Sequence, residues 1–168
     1  GASARLALID RAKDACAALG LHETLNYAFT SNEWLAKFGL VSGAKLINPL
    51  SEELGYLVPS LLPGLVRNAL DNGNNHFGSE ALALRLFEIR PVFSVPTEGV
   101  RAKGEMDTGT AESWRLSFLL SGPRYRGGLR SEQADVDFYD LKALVESLVE
   151  RLGTKGVRMQ PLTSVKNP

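Results

Sequence analysis

The sequence has very few residues of the two types that most often bind metals or crosslink chains. It contains one cysteine, Cys16, and two histidines, His22 and His76, in 168 residues. One cysteine excludes an internal disulfide and is typical of a reducing compartment, and two histidines are too few for a histidine-based metal site. Cys16 shares a helical face with apolar residues, so we predict a small core residue rather than a reactive thiol.

An excess of charge and a long apolar run are also missing. Lys plus Arg number 19 and Asp plus Glu number 19, so no overall field draws the chain to nucleic acid or an anionic membrane. No apolar run reaches the roughly 18 residues that span a bilayer, and the N-terminus lacks the basic-then-apolar order of a signal peptide. We expect a cytoplasmic protein with no membrane partner, in which any RNA contact is local.

The first forty residues predict a helix, a strand and a second helix. Apolar residues recur at helical spacing up to a stop at Gly20, namely Leu6, Ile9, Ala12, Cys16 and Leu19. The segment "HETLNYAF" then alternates Leu25, Tyr27 and Phe29 with smaller residues, as a half-buried strand does. Thr30 and Glu33 have capping-box spacing and predict a short helix that ends at Gly39.

The stretch "NPLSEELGYLVPSLLPGLVRNAL" predicts two stops before a helix. Asn48-Pro49 ends a short strand candidate, "AKLIN", because the residue before a proline is pushed out of the helical region. Ser60 can cap the helix that follows, with Pro63 in its first turn. Its buried stripe is predicted to be Leu62, Leu65, Val66, Ala69 and Leu70, and local propensity ends it near Asn72-Gly73.

The second half predicts a long hairpin followed by a helix. "ALRLFEIRPVF" is apolar on both alternating faces, as a central strand covered from both sides is, and "WRLSFLLS" supplies its partner. Residues 94–113 between them predict an exposed, mobile loop. Asp137 or Asp140 caps a strong helix that runs to Gly153, and "GVRMQPL" is a further strand candidate. This order indicates the α+β class with an antiparallel sheet.

Few side chains in this sequence form a pattern that specifies chemistry. Glu52 and Glu53 are adjacent, so their side chains diverge and a solvated turn is the simpler interpretation. No glycine-rich phosphate loop or nucleophile elbow is present. The stretch "PRYRGGLR" combines basic residues with an aromatic ring, and it is either an RNA contact or a solvated loop; its residues are Arg124, Tyr125, Arg126 and Arg130.

Five segments taken in order resemble the catalytic-like module of the bacterial phenylalanyl-tRNA synthetase beta subunit. They are "GLHETLNYAFTS", "NPLSEELGYLVPSLLPGLVRNAL", "RLFEIRPVF", "LLSGPRY" and "VDFYDLKALVESLVERLG". The resemblance implies a class II synthetase fold, an antiparallel sheet flanked by helices, and it extends the third helix to about His76. We expect residues 1–168 to form a single domain of this kind that is truncated at its C-terminus.

The resemblance also implies a degenerate nucleotide site. The second class II motif reads Phe-Arg-x-Glu, whose arginine grips the ATP α-phosphate, whereas the matching residues here are Phe87, Glu88, Ile89 and Arg90. If the phenylalanines align, the Glu88 carboxylate stands in place of the clamp and repels a phosphate by roughly 4 kcal/mol at about 4 Å and an effective dielectric near 20. Val58-Pro59 stands where Arg-Thr is usual, and Arg90-Pro91 where Gly-Arg is usual, which casts doubt on the strand beyond Ile89.

The function implied by the resemblance is a non-catalytic scaffold. The module would have no catalytic, cofactor or metal residues of its own and would support the alpha subunit of an alpha2beta2 heterotetramer, which uses ATP and Mg²⁺ to join phenylalanine to tRNA. Class II modules pair through their first motif, so the expected subunit-interface residues are Leu6, Ile9, Leu19, Leu25, Tyr27 and Phe29. The alternative is a tRNA-binding module that acts through the basic loops.

Overall fold

The computed structural model describes residues 2–42, 44–77, 81–95, 109–124 and 134–160. Its helices are α1 (Ala2–Ala18), α2 (Asn32–Ala36), α3 (Leu62–Asn74) and α4 (Phe138–Arg151), and a 3-10 turn covers Glu52–Leu54. Its strands are β1 (His22–Glu23), β2 (Phe29–Thr30), β3 (Tyr56–Leu57), β4 (Leu84–Ser94) and β5 (Ala111–Ser121). The α+β class predicted from the sequence is confirmed.

The main sheet has the strand order β1-β4-β5 and is mixed rather than antiparallel. β4 and β5 form the predicted hairpin, in register from Leu84 opposite Ser121 to Ser94 opposite Ala111. β1 runs parallel to β4, with His22 opposite Leu86, so the expectation of an entirely antiparallel sheet is wrong. β2 and β3 pair separately in a small antiparallel ribbon.

β4 is covered on both faces, as its sequence predicts. On one face Phe87 and Ile89 pack with α1 and α4 in a core that includes Cys16, Leu21 and Leu148. On the other face Leu84 and Leu86 pack with Leu65 of α3. Because side chains alternate along a strand, Glu88 and Arg90 belong to the α3 face.

α1 ends as its sequence predicts. Gly20 has a φ of 82°, the Leu21 N–H donates to the Cys16 carbonyl at 3.1 Å, and the Gly20 N–H donates to the Ala17 carbonyl at 2.9 Å. This pair of bonds is a Schellman motif, which satisfies the last carbonyls of the helix. Cys16 is fully buried, and burial, with a smaller effect from the Glu23 carboxylate, raises its pKa to about 11. The thiol is therefore a core group, as predicted.

Three helix boundaries differ from the sequence expectations by a few residues. Ser31, not Thr30, caps α2, accepting the Trp34 N–H at 3.0 Å. α3 ends at Asn74, between the two ends considered. Its N-cap is Leu61 rather than Ser60, although the Ser60 hydroxyl accepts the Leu62 N–H at 3.3 Å. Both aspartates proposed for α4 take part, since Asp137 is the N-cap and Asp140 completes a capping box.

Three predicted strands are shorter than expected or lie outside regular structure. "HETLNYAF" is a strand only at its two ends, β1 and β2, and "AKLIN" contributes one isolated bridge, Lys45 to Tyr56. Residues 156–160 of "GVRMQPL" are not in a strand, and the rest of that segment lies outside the described residues. β4 continues through Pro91 to Ser94, so the substituted Arg90-Pro91 pair does not end it. Most of the predicted loop, residues 96–108, is also outside the described part.

Two glycines with positive φ should respond differently to alanine. Gly20→Ala meets only the conformational cost of a left-handed residue, about 1–2 kcal/mol, because no atom lies within 4 Å of an added Cβ. Gly122 has a φ of 79°, and an added Cβ would overlap the Leu82 carbonyl oxygen, so Gly122→Ala should cost roughly 1–3 kcal/mol more. Urea unfolding measures both losses, and equal losses would contradict the close approach at Gly122.

Candidate functional site

The candidate site is built around Glu88, a carboxylate in the middle of β4 that is only 1% exposed. Both of its oxygens accept hydrogen bonds from Asn26. The Asn26 backbone N–H donates to Oε1 at 3.0 Å, and the Asn26 side-chain amide donates to Oε2 at 2.9 Å. The Glu88 carboxylate therefore accepts the hydrogen bond that the backbone N–H of Asn26 would otherwise donate to a neighbouring strand.

Arg90 closes this arrangement from the next position on the same face of β4. Its Nη1 donates to the Asn26 carbonyl oxygen at 2.8 Å, and its Nε lies 3.3 Å from Glu88 Oε1 as an ion pair without hydrogen-bond alignment. Burial lowers the pKa of the Arg90 guanidinium, and the Glu88 carboxylate opposes that effect. We call the three residues Asn26, Glu88 and Arg90 the Asn26 ring, because their contacts form a closed circuit.

The Asn26 ring explains why the predicted strand over residues 22–29 is interrupted. The Thr24 N–H donates to the Phe87 carbonyl at 2.8 Å, which continues the β1 ladder. At Asn26 the backbone N–H and carbonyl are bonded to side chains of β4 instead of to its main chain. Since a backbone group needs one partner when buried, side-chain partners here replace the ladder and the strand stops.

α3 presses against the same asparagine through Gly64. A Cβ added at Gly64 would lie 2.9 Å from the Asn26 side-chain nitrogen, closer than Cβ atoms approach in real proteins. The absence of a side chain at position 64 therefore lets α3 pack against Asn26. Val58, which stands where the resemblance leads us to expect arginine, connects two nearby chain segments. Its N–H donates to the Ala28 carbonyl at 3.0 Å, and its carbonyl accepts from the Phe93 N–H at 2.9 Å.

The Asn26 ring corrects one step of the sequence interpretation. The repulsion of a phosphate by Glu88 was argued for an uncompensated carboxylate, but both oxygens are bonded and Arg90 balances the charge. Arg90 in turn has a side chain only 15% exposed and is bonded to the protein. Neither charged group is aimed into open space.

A cleft of about 830 Å³ lies beside the Asn26 ring and is lined by Asn26 and Tyr27 but not by Glu88 or Arg90. Its other walls come from α2, the 3-10 turn, β3 and the start of α3. Asn26 thus contributes to the cleft while its amide is held by Glu88. Glu88 and Arg90 therefore lie outside the lining of the cleft, and Asn26 is the member of the ring that reaches it.

The six expected interface residues divide into two groups. Leu6, Leu25 and Tyr27 are 58%, 87% and 76% exposed. The prediction of a strand that buries Leu25 and Tyr27 is therefore wrong, because residues 24–28 are not in a strand. Ile9 is buried, Leu19 packs against the α1–α4 core, and Phe29 is half-buried in β2 opposite Leu57. Within the described residues, the first three side chains are exposed to solvent and could contact a partner. The other three already pack or pair within the module.

Of the four residues considered for RNA contact, the structure describes only Arg124. Its Nε lies 2.9 Å from an Asp140 oxygen, and its Nη2 lies 3.3 Å from Asp137. The Asp137 backbone N–H, and then Arg124, lower the pKa of Asp140. Arg124 therefore pairs with the capping box of α4, while Tyr125, Arg126 and Arg130 lie outside the described residues.

Sequence reasoning missed the residues that complete this region. Asn26 and Gly64 carry no motif, and Asn26 lies on the polar side of the alternation in "HETLNYAF", where a polar residue is expected. A second missed cluster surrounds Trp34, where Arg67 and Lys37 approach the indole ring. Within the described segments no three His, Cys, Asp or Glu residues are grouped to hold a metal, and no helix has the length and apolarity to cross a membrane.

Comparison with solved structures defines the class of this fold. Two structures of pyrrolysyl-tRNA synthetase from Desulfitobacterium hafniense superpose with TM-scores of 0.62 and 0.58 at 16% and 17% sequence identity. They cover 95% and 89% of this chain, and 51% and 47% of the synthetase chains. The fold is that of the class II aminoacyl-tRNA synthetases.

Sequence comparison then gives the family. The family model of the phenylalanyl tRNA synthetase beta chain CLM domain matches residues 1–167, and the chain belongs to this family. Phenylalanine–tRNA ligase beta subunits of Syntrophotalea carbinolica and Xylella fastidiosa (strain 9a5c) are 35% and 37% identical over 84% and 79% of the chain. The matched region spans 17% and 16% of those subunits, so the chain corresponds to about a sixth of the relatives' length.

The losses from replacing the two charged members of the Asn26 ring should not add. Glu88→Leu leaves Arg90 buried without its ion-pair partner, which costs about 3–5 kcal/mol. Because that pair is then already lost, Glu88→Leu with Arg90→Met should cost less than the sum of the two single losses, although Asn26 loses its partners in the double variant. Urea unfolding of the singles and the double gives the coupling energy. As a matched control, Glu23→Leu breaks the exposed ion pair with Lys13 and should cost at most about 1 kcal/mol. Additive losses at positions 88 and 90 would contradict the ring.

Proposed function

We propose that this chain is the non-catalytic, catalytic-like module of a phenylalanine–tRNA ligase beta subunit. In this role it packs against the alpha subunit, which carries the active site, in a cytoplasmic alpha2beta2 heterotetramer. The assembled enzyme uses ATP and Mg²⁺ to charge tRNA with phenylalanine. The module itself contributes shape and support and binds neither cofactor.

The observation that carries this proposal is the state of Glu88. A phosphate clamp needs a cation aimed at the place where the phosphate will bind. The position is occupied here by a carboxylate that is 1% exposed and bonded through both oxygens to Asn26. The nearest cation, Arg90, donates to the Asn26 carbonyl and pairs with Glu88. The motif's charged groups are therefore engaged in holding the chain together.

Exposed apolar side chains support a partner surface next to the module's core. Leu6 lies one turn before the buried Ile9 on α1, so it extends that apolar stripe into solvent. Leu25 and Tyr27 flank Asn26, whose backbone is fixed by the Asn26 ring, and both point into solvent. Exposed apolar residues that form a contiguous patch are typical of protein contacts.

The tRNA-binding alternative has less support among the described residues. Arg124 is within 3.3 Å of Asp137 and 2.9 Å of Asp140, so its charge is already balanced by two carboxylates. A phosphate would have to compete with both. We therefore favour the scaffold over a module that acts through this arginine.

Assembly with the alpha subunit tests the proposal. In the full-length beta subunit that contains this chain, Leu6→Asp with Leu25→Asp should weaken binding to the alpha subunit at least tenfold. Each leucine should otherwise bury apolar area worth about 1.5–3 kcal/mol, and an aspartate would have to be desolvated in its place. Analytical ultracentrifugation over a concentration series measures the dissociation constant.

The control uses the same substitution at two leucines of α3 that are also exposed. Leu62 and Leu70 are 44% and 49% exposed, so the prediction that they lie in the buried stripe of α3 is wrong, and they belong to no expected interface. Leu62→Asp with Leu70→Asp should leave assembly unchanged. Equal weakening by the two double variants, or no weakening by the first, would contradict the proposed surface.

A further inference from the structure

The cleft beside Asn26 gathers charged groups of both signs around one aromatic ring. Trp34 of α2 lines it, with the Arg67 guanidinium carbon 4.0 Å and the Lys37 ammonium 5.3 Å from the ring centroid. Three carboxylates line the same cleft: Glu33 of α2 and Glu52 and Glu53 of the 3-10 turn. The cleft therefore offers two cations and three anions at short range.

None of these five charged side chains has an ion-pair partner within the described residues. The pairs that form there involve Lys13, Arg90, Arg124 and Lys142, and no carboxylate lies within 4.0 Å of Lys37 or Arg67. Exposed charges are ordinary one at a time. Here five charged side chains, unpaired within the described part of the chain, line one cleft. Such a cleft can bind a ligand that carries both a positive and a negative charge.

The cationic wall is held in place before any ligand arrives. The indole Nε1 of Trp34 donates to the Pro63 carbonyl at 3.1 Å, and Phe38 packs edge-on against the ring at 5.3 Å between centroids. Arg67 lies over that fixed ring, a contact that orients the guanidinium. A nucleic-acid base that stacked on the face of Trp34 covered by Arg67 would have to displace the guanidinium.

Exposed apolar side chains stand within two residues of the cleft lining on two chain segments. Tyr27 lines the cleft and is also 76% exposed, and its neighbour Leu25 is 87% exposed. Leu50, two residues before Glu52, is 90% exposed. An apolar margin on two chain segments around a charged centre fits an extended polypeptide, since flanking apolar contacts exclude water from the ion pairs.

We propose that the Trp34 cleft receives a polypeptide segment of the alpha subunit that carries an acidic and a basic side chain close together. Its carboxylate meets Lys37 and Arg67, its cation meets Glu52 and Glu53, and its apolar neighbours cover Leu25, Tyr27 and Leu50. The inference rests on the proposed scaffold role, because Tyr27 belongs to both surfaces. It adds a specific, charge-directed contact to that role.

Charge reversal on each wall tests the inference in the full-length beta subunit. Lys37→Glu with Arg67→Glu, and separately Glu52→Lys with Glu53→Lys, should each weaken binding of the alpha subunit by about tenfold at low salt. Both variants should also show a weaker dependence of affinity on salt than the unmodified subunit. Surface plasmon resonance at several salt concentrations gives both quantities, and the melting temperature checks folding.

The second reversal does not touch Trp34, so it remains informative if loss of the ring contacts unfolds the first variant. Lys155→Glu, an exposed charge away from the cleft, is the matched control and should bind as the unmodified subunit does. Unchanged assembly by Glu52→Lys with Glu53→Lys would overturn the inference. So would lower tRNA affinity with unchanged assembly, which would make the cleft an RNA contact.

The design separates this inference from the scaffold proposal. If Leu6→Asp with Leu25→Asp weakens assembly and the charge reversals do not, only the cleft contact fails. If the unmodified subunit does not bind the alpha subunit at all, both fail.

Discussion

The contacts of Glu88 with Asn26 and Arg90 are the constraint on which the rest of the structure depends. They fix the main chain at residue 26 from both sides, through its N–H and its carbonyl, to a strand more than sixty residues later in the chain. They also place the asparagine side chain against Gly64 at the start of α3. One buried carboxylate therefore joins the end of β1, the central strand and the helix on that face of the sheet.

The same contacts engage both charged side chains of β4 at positions 88 and 90. A clamp is useful only if its positive charge is unpaired and faces the space that the phosphate enters. Here Arg90 donates a hydrogen bond to the Asn26 carbonyl and forms an ion pair with Glu88. The Glu88 carboxylate is buried and accepts hydrogen bonds from Asn26. Glu88 and Arg90 already have partners within the protein, and neither lines the adjacent cleft. Both side chains therefore help to hold β4 against residue 26.

Sequence periodicity predicted the elements whose bonds are local or regularly paired. The β4–β5 hairpin, α1 with its stop at Gly20 and α4 with its capping box follow from alternation, helical spacing and cap chemistry. The break after β1 did not follow, because distant side chains bond the backbone of Asn26. Nor did the parallel β1–β4 pairing or the Trp34 cleft, since both depend on which segments meet in space. Family resemblance identified position 88, but only the structure showed that its charge is neutralised.

The central claim is that the Asn26 ring is structural and binds no nucleotide. Isothermal titration of the chain with ATP and Mg²⁺ tests it most directly, with Arg90→Met as the comparison. The account predicts no saturable heat for either protein up to millimolar nucleotide. Stoichiometric ATP binding by the unmodified chain that disappears in Arg90→Met would contradict it, because Arg90 would then be free to hold a phosphate.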